Sequence, residues 1–267
     1  MNIFRKKRQL RPGRVGDGPE QPSAEELAAF AREEELYALG NAAALDSFGL
    51  SSALMIFRYR PIAKHLASIG KRYSMLHPDV LILLYYLACK SRGDILEIGP
   101  YIGGSTIALA EGVRDAGQER AFVTVEKGGR LEHPTLTSRD IVADLKQNLA
   151  HNRVADLVQL IVGEAVANET GEEVRRRLRP GSVELFVMDA DGGVELAFDF
   201  YRDLLADHCW VVIDDYFAAT GPAFDKAART KAQIDALGTT GELEGLALFG
   251  WGTWFGRWHR SHFVRHP

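Results

Sequence analysis

The stretch LEIGPYIGGSTIALA, Leu96 to Ala110, decides how the chain is read. An apolar run ending at Ile98 meets Gly99, Gly103 and Gly104 and then becomes helix-forming. A short apolar run closed by glycine reads as a buried strand, and the run after Ser105 reads as a helix. Glycine permits positive φ and lets the backbone approach a ligand closely. A helix beginning at about Gly104-Ser105 offers unpaired N–H groups to an anion.

The alternation continues outward from that point. DILEIG, AFVTVEK, LVQLIVGEA, VELFVMDAD and CWVVIDDY read as strands. STIALAEGVRDA, SRDIVADLKQNLAHN, EEVRRRL, ELAFDFYRDLL and FDKAARTKAQIDAL read as the helices that follow them. LEGLALFG and GTWFGRW flank Gly250-Trp251-Gly252 as a hairpin. Strand–helix units with continuous apolar strands predict an α/β fold. Its sheet is parallel, Rossmann-like and seven-stranded, with an antiparallel C-terminal hairpin and added N-terminal helices.

Upstream, residues 1–22 are basic and then Gly/Pro-rich, which predicts a flexible arm. Ser23-Ala-Glu-Glu is a capping-box pattern opening a helix to about Leu45. A second helical region is expected near Ala53 to Ile69. A third, apolar helix starts at Pro78-Asp79 and is closed by Gly93. The chain divides on this reading into the arm, a helical lid segment over 23–92 and a Rossmann-like domain over 93–267.

Composition narrows the function classes. Hydrophobic residues at 46% and charged residues at 25% are those of an ordinary soluble domain. A net charge of -4, and a basic stretch Arg5 to Arg14 without interleaved aromatics, disfavour nucleic acid as a partner. The longest apolar run, Val80 to Cys89, is too short to span a bilayer, so no membrane partner is expected. No apolar segment follows the basic start, and two cysteines cannot build a disulfide framework. A cytoplasmic location fits both. Homo-oligomerisation is left open.

Ligands of such sheets sit beyond the carboxyl ends of the strands, at the switch point. A dinucleotide turn reads G-x-G-x-x-G. Here Gly99-Pro-Tyr-Ile-Gly103 is wider and follows an acidic residue, Glu97. That suits a ligand carrying both an amine and a carboxylate, with Glu97 answering the ammonium and the Gly103, Gly104 and Ser105 amides the carboxylate. A side chain at Gly103 is expected to obstruct this ligand. The nicotinamide alternative is disfavoured by the spacing.

Glu97-Ile-Gly99-Pro-Tyr-Ile-Gly103-Gly104-Ser105 resembles the first motif of class I S-adenosylmethionine-dependent methyltransferases of the catechol O-methyltransferase-like group. The resemblance extends over about Asp94 to Trp258. It implies S-adenosylmethionine as cofactor, with Gly99 and Tyr101 in the binding turn. It also implies Glu126, at the end of the second strand, accepting the ribose hydroxyls, and the Gly163-Glu164 loop bordering the adenine.

Met188-Asp189-Ala190-Asp191 and Ile213-Asp214-Asp215-Tyr216 end the fourth and fifth strands. Carboxylates on adjacent strand ends repel unless something neutralises them. An oxygen-only shell favours Mg²⁺, with Ca²⁺ or Mn²⁺ as alternatives. The pattern resembles the metal-dependent O-methyltransferases, and its Ile-Asp-Asp-Tyr form is similar to the macrocin and aminocoumarin sugar enzymes. Asp189, Asp214 and Asp215 are the candidate metal ligands, with Asp189 also beside the cofactor and the reaction. Metal-free relatives with an acidic fourth strand end, and Asp215 as a helix cap, remain alternatives.

Catechol-type relatives carry Lys three residues after the first Asp, where this chain has Gly192. The base is therefore open, with Asp191 nearest and His133 a weaker candidate. Tyr101, Tyr216, Phe217, Trp251 and Trp254 are candidate linings of an acceptor pocket. The expected activity is O-methyl transfer to a small hydroxylated molecule, a sugar or polyphenol moiety. A metal-independent methyltransferase and a non-catalytic binding module are the alternatives.

Overall fold

The computed structural model describes residues 44–189, 193–217 and 223–260. The basic arm and most of the helix expected from Ser23 lie outside them, as do Asp191 and Gly192.

Helix α1 covers residues 44–57, followed by α2 (Pro61–Tyr73) and α3 (Pro78–Lys90). The single helical region expected from Ala53 to Ile69 is thus broken in two. Pro61 is the cause. It forces Arg60 into an extended conformation (φ -90, ψ 155) and then serves as the first residue of α2. α3 stops at Ser91, also extended, and not at Gly93. A Cβ on Gly93 would lie 2.5 Å from the Ser182 carbonyl oxygen, so that glycine serves strand packing.

Five strand–helix units follow: β1 (Asp94–Ile98), α4 (Gly104–Ala116), β2 (Phe122–Glu126), α5 (Ile141–His151), β3 (Gln159–Val162), α6 (Asn168–Arg177), β4 (Val183–Met188), α7 (Val194–Tyr201), β5 (Leu205–Ile213) and α8 (Ala223–Thr239). The hairpin β6 (Leu243–Phe249) and β7 (Thr253–Trp258) closes the series. The sheet order is β3-β2-β1-β4-β5-β7-β6. β1 to β5 are parallel, and β7 runs antiparallel to β5 and β6. This is the expected Rossmann-like seven-stranded sheet.

Alternation along each strand builds two cores. Ile95, Leu185, Val187 and Val212 pack on one face against α2, α3 and α4. Leu96, Phe186, Val211 and Ile213 pack on the other against α6, α7 and α8. Both faces are covered, which is why the strands read as continuous apolar runs. The order of strand addition reverses between β1 and β4, so a crevice opens beyond Ile98 and Met188.

Candidate active site

The ends of the central strands are level. Ile98 is in register with Met188, and Met188 with Ile213. The Asp189 N–H donates to the Ile98 carbonyl, and the Asp214 N–H to that of Met188. Gly99, Asp189 and Asp214 therefore leave the sheet side by side. They border a cleft of about 490 Å³, open mouth included, which the Tyr73–Leu76 turn between α2 and α3 also walls.

The glycine turn is left-handed at three places: Gly99 (φ 76), Tyr101 (φ 54) and Gly103 (φ 99). Tyr101 pays for a conformation glycine would take freely, and it is held there from both ends. Its N–H donates to Glu126 Oε2 at 3.0 Å and its hydroxyl to the Leu136 carbonyl at 2.7 Å. The Gly103 N–H is committed to the Pro100 carbonyl, leaving Gly104 and Ser105 as the amides free to meet an anion. A side chain at Gly103 would strike Leu145 Cδ1, 2.7 Å from an added Cβ, so α5 forbids it before any ligand does. At Gly104 the obstruction is Ser74 Cβ, 2.3 Å away, with the Tyr73 carbonyl oxygen at 2.7 Å. The paired glycines let α5 and the 73–76 turn close over the start of α4.

Glu97 is buried. Its Oε2 accepts hydrogen bonds from Thr106 and Thr124, both at 2.8 Å, while Oε1 has no partner. Burial raises its pKa against the three hydroxyls of Ser105, Thr106 and Thr124. An unpartnered buried carboxylate oxygen is costly, and a cationic group in the cleft would satisfy it. Glu126 is also buried, and its pKa too is raised by burial. Each of its oxygens takes one backbone N–H, from Gly128 and Tyr101, which orients the pair and leaves lone pairs on both. Glu164 is exposed at the end of β3, and a Cβ on Gly163 would meet Thr170 Oγ1 at 2.4 Å.

One carboxylate oxygen from each of Asp189, Asp214 and Asp215 lies within 4.8 Å of the others. Asp215 reaches the group through a left-handed residue (φ 57), a conformation Asp tolerates. Asp214 accepts from Thr253 Oγ1 at 2.6 Å, so β7 fixes its side chain. Burial and the charges of Asp189 and Asp215 push the Asp214 pKa up to about 7. The sequence reading missed the group that neutralises them. Lys226, in the first turn of α8, places Nζ 3.2 Å from Asp189 Oδ1 and pairs with Asp215 Oδ2. Burial works against its charge, but Asp189 and Asp215 outweigh it and raise its pKa. One signal was available in the sequence. A lysine at a helix N-terminus opposes the helix dipole, so its position there asks for an anionic partner.

Tyr101 alone of the expected aromatic linings borders the cleft. Trp254 is core, Tyr216 turns its hydroxyl to Asp235 at 3.0 Å, and Phe217 and Trp251 are exposed. His133 is held in its own loop by Thr135 and Thr137, away from the three carboxylates. Asp191 lies outside the described residues.

A left-handed glycine turn, a buried Glu on β1 and an acidic end on β2 stand together at the level strand ends of a Rossmann-like methyltransferase fold. Residues 96–216 match the family model described as a methyltransferase domain. No curated protein matches the chain. Among solved structures, it is similar to the S-adenosylhomocysteine-bound methyltransferase PaMTH1 of Podospora anserina, at 20% identity and TM-score 0.53, with 90% of this chain and 99% of that chain covered. It is also similar to TomG of Streptomyces achromogenes, an O-methyltransferase involved in tomaymycin synthesis and solved with S-adenosylmethionine. There the identity is 19% and the TM-score 0.53, over 78% of this chain and 96% of that one. An O-methyltransferase of Bacillus cereus in complex with S-adenosylhomocysteine gives 15% identity and TM-score 0.52, over 78% and 90%.

Proposed function

We infer that the protein transfers a methyl group from S-adenosylmethionine to a hydroxyl of a small molecule, a sugar or polyphenol moiety with neighbouring hydroxyls. The observation that carries the cofactor reading is the unpartnered Glu97 Oε1, buried at the cleft floor beside the free amides of Gly104 and Ser105. Those groups suit the ammonium and carboxylate of a methionine moiety, and Glu126 suits the ribose diol. Gly163 and Glu164 remain the assignment for the adenine edge. TomG and the B. cereus neighbour are O-methyltransferases, and the acidic strand ends agree with that activity. Helices α2 and α3, joined by the 73–76 turn at the cleft, form the acceptor side.

The donor set at Asp189, Asp214 and Asp215 fits a hard divalent cation, Mg²⁺ before Ca²⁺ or Mn²⁺, because all three donors are carboxylate oxygens. Such an ion lowers the pKa of a bound hydroxyl and orients it. The chain's own contribution is positioning. The glycine turn and Glu126 fix the cofactor, the level strand ends set the acceptor oxygen beside it, and the 73–76 turn excludes water. Asp191 stands as the assigned base. A second reading is favoured by Lys226. Its ammonium already bridges Asp189 and Asp215, so the cluster is neutralised in part without metal, and Lys226 would then supply the positive charge to the acceptor oxygen.

The test is methyl transfer from labelled S-adenosylmethionine to a panel of catechols and sugar diols, in chelator and with Mg²⁺ restored. The metal reading expects activity only with Mg²⁺, and the Lys226 reading expects it undiminished in chelator. Failure of S-adenosylhomocysteine to raise the Tm would overturn both.

A further inference from the structure

The sheet end opposite the cleft carries a second group of ligand-type side chains. β5 pairs with β4 at Val183–Leu205 and again at Leu185–Trp210. Over that interval β5 runs longer than β4 and bulges, and the bulge contains Asp207 and His208. Bulges re-aim side chains, and His208 is turned by a left-handed backbone (φ 58). β7 ends beside it, because Cys209 pairs with Trp258. His259 therefore leaves the sheet next to His208.

The two imidazoles meet through Nδ1, 3.0 Å apart, with ring planes at 82°. His259 is buried, and its Nε2 lies 3.0 Å from Glu244 Oε2 on β6. Glu244 can only accept, so Nε2 is the donor of that pair, and Nδ1 faces His208 Nδ1. A carboxylate behind the distal nitrogen is the arrangement that orients metal-ligating histidines. Asp207 supplies the third donor, and one ligand atom from each of the three residues lies within 4.8 Å of the others. Asp207 is itself oriented by the Arg260 N–H at 2.8 Å. The nearby Arg257 guanidinium faces the His208 carbonyl and Asp46, not the imidazoles.

Two nitrogens bound at about 2.0–2.1 Å to a tetrahedral ion stand roughly 3.3 Å apart. The Nδ1 pair needs only a slight opening to reach that. Two imidazoles with one carboxylate form a borderline donor set, unlike the oxygen-only cluster in the cleft. We propose that Asp207, His208 and His259 form a second metal site, for Zn²⁺ or a similar first-row divalent ion. Glu244 orients His259. The ion would pin the β5 bulge to the end of β7, a structural role far from the cleft.

The test is titration of the full chain with Zn²⁺ by calorimetry, and with Co²⁺ by visible absorption, in parallel with thermal melts. One equivalent should bind with the intense d–d bands of four-coordinate Co²⁺, and Zn²⁺ should raise the Tm. His208→Ala should lose both; its side chain is exposed, so the variant should fold. Glu244→Gln should weaken affinity about 10–100-fold. The double variant His262→Ala, His266→Ala should bind as the wild type does. Equal binding by His208→Ala, or loss in that double variant, would overturn the assignment.

Discussion

Lys226→Met puts the three-carboxylate cluster to a direct test. The ammonium stands 3.2 Å from Asp189 and also pairs with Asp215. At an effective dielectric of about 20, a pair at that distance is worth about 5 kcal/mol. The three residues are a quarter to a third exposed, at 25% for Lys226, 33% for Asp189 and 25% for Asp215. Solvent screening and the relief of desolvating the ammonium reduce the net loss to about 2–3 kcal/mol. Met conserves the length of the stem, so packing changes little. The assay is urea unfolding in chelator, one pH unit above and two below the value of about 7 at which Asp214 titrates. The destabilisation should be full at the higher pH and smaller at the lower, where Asp214 is protonated and one repelling charge is gone. Millimolar Mg²⁺ should restore stability in the variant more than in the wild type, since an ion binding only the folded chain stabilises it. Equal stability of variant and wild type in chelator at both pH values would refute the assignment of Lys226 as the counter-charge.

Three further expectations concern single residues. The folded Asp214 keeps its proton to about pH 7, whereas the unfolded chain releases it near 3.8, so between those values the folded state binds the extra proton. Wild-type stability relative to Asp214→Asn should fall as pH rises through that window, by at most about 4 kcal/mol shared across the cluster, and parallel pH–stability curves would exclude it. Glu97→Gln should weaken S-adenosylhomocysteine binding about 10–100-fold in calorimetry, the loss of one charge-assisted contact worth about 1.5–3 kcal/mol, with the fold unchanged by circular dichroism. Gly104→Val drives a side chain into Ser74 and Tyr73 and should cost about 1–3 kcal/mol, together with cofactor affinity; an unchanged Tm would show that the 73–76 turn yields freely.

The fold was legible because the central strands are buried on both faces. Leu185 to Met188 and Val211 to Ile213 read as unbroken apolar runs, and glycine or acidic residues mark where the parallel strands end. The break at Arg60 was written in Pro61, a local signal outweighed by the helical pattern on either side. Gly93 misled for the opposite reason. A glycine after a helix usually marks its end, but here it is required by the Ser182 backbone, a partner some ninety positions away that periodicity does not reveal.

The site divides along the same line. Glu97, Glu126, Asp189 and Asp214 lie at strand ends, and a parallel register brings strand ends together whatever the rest of the chain does. Lys226, Thr253 and the 73–76 turn arrive from elements whose angle over the sheet only packing decides. A charge argument narrows that gap. Three carboxylates with an oxygen each within 4.8 Å of the others repel one another, and a lysine in the first turn of the helix after β5 sits where the helix dipole disfavours it. The cluster and the lysine resolve each other's cost. That makes Lys226 part of the site on electrostatic grounds alone, and it makes any divalent ion bound there a competitor of a group the chain already provides.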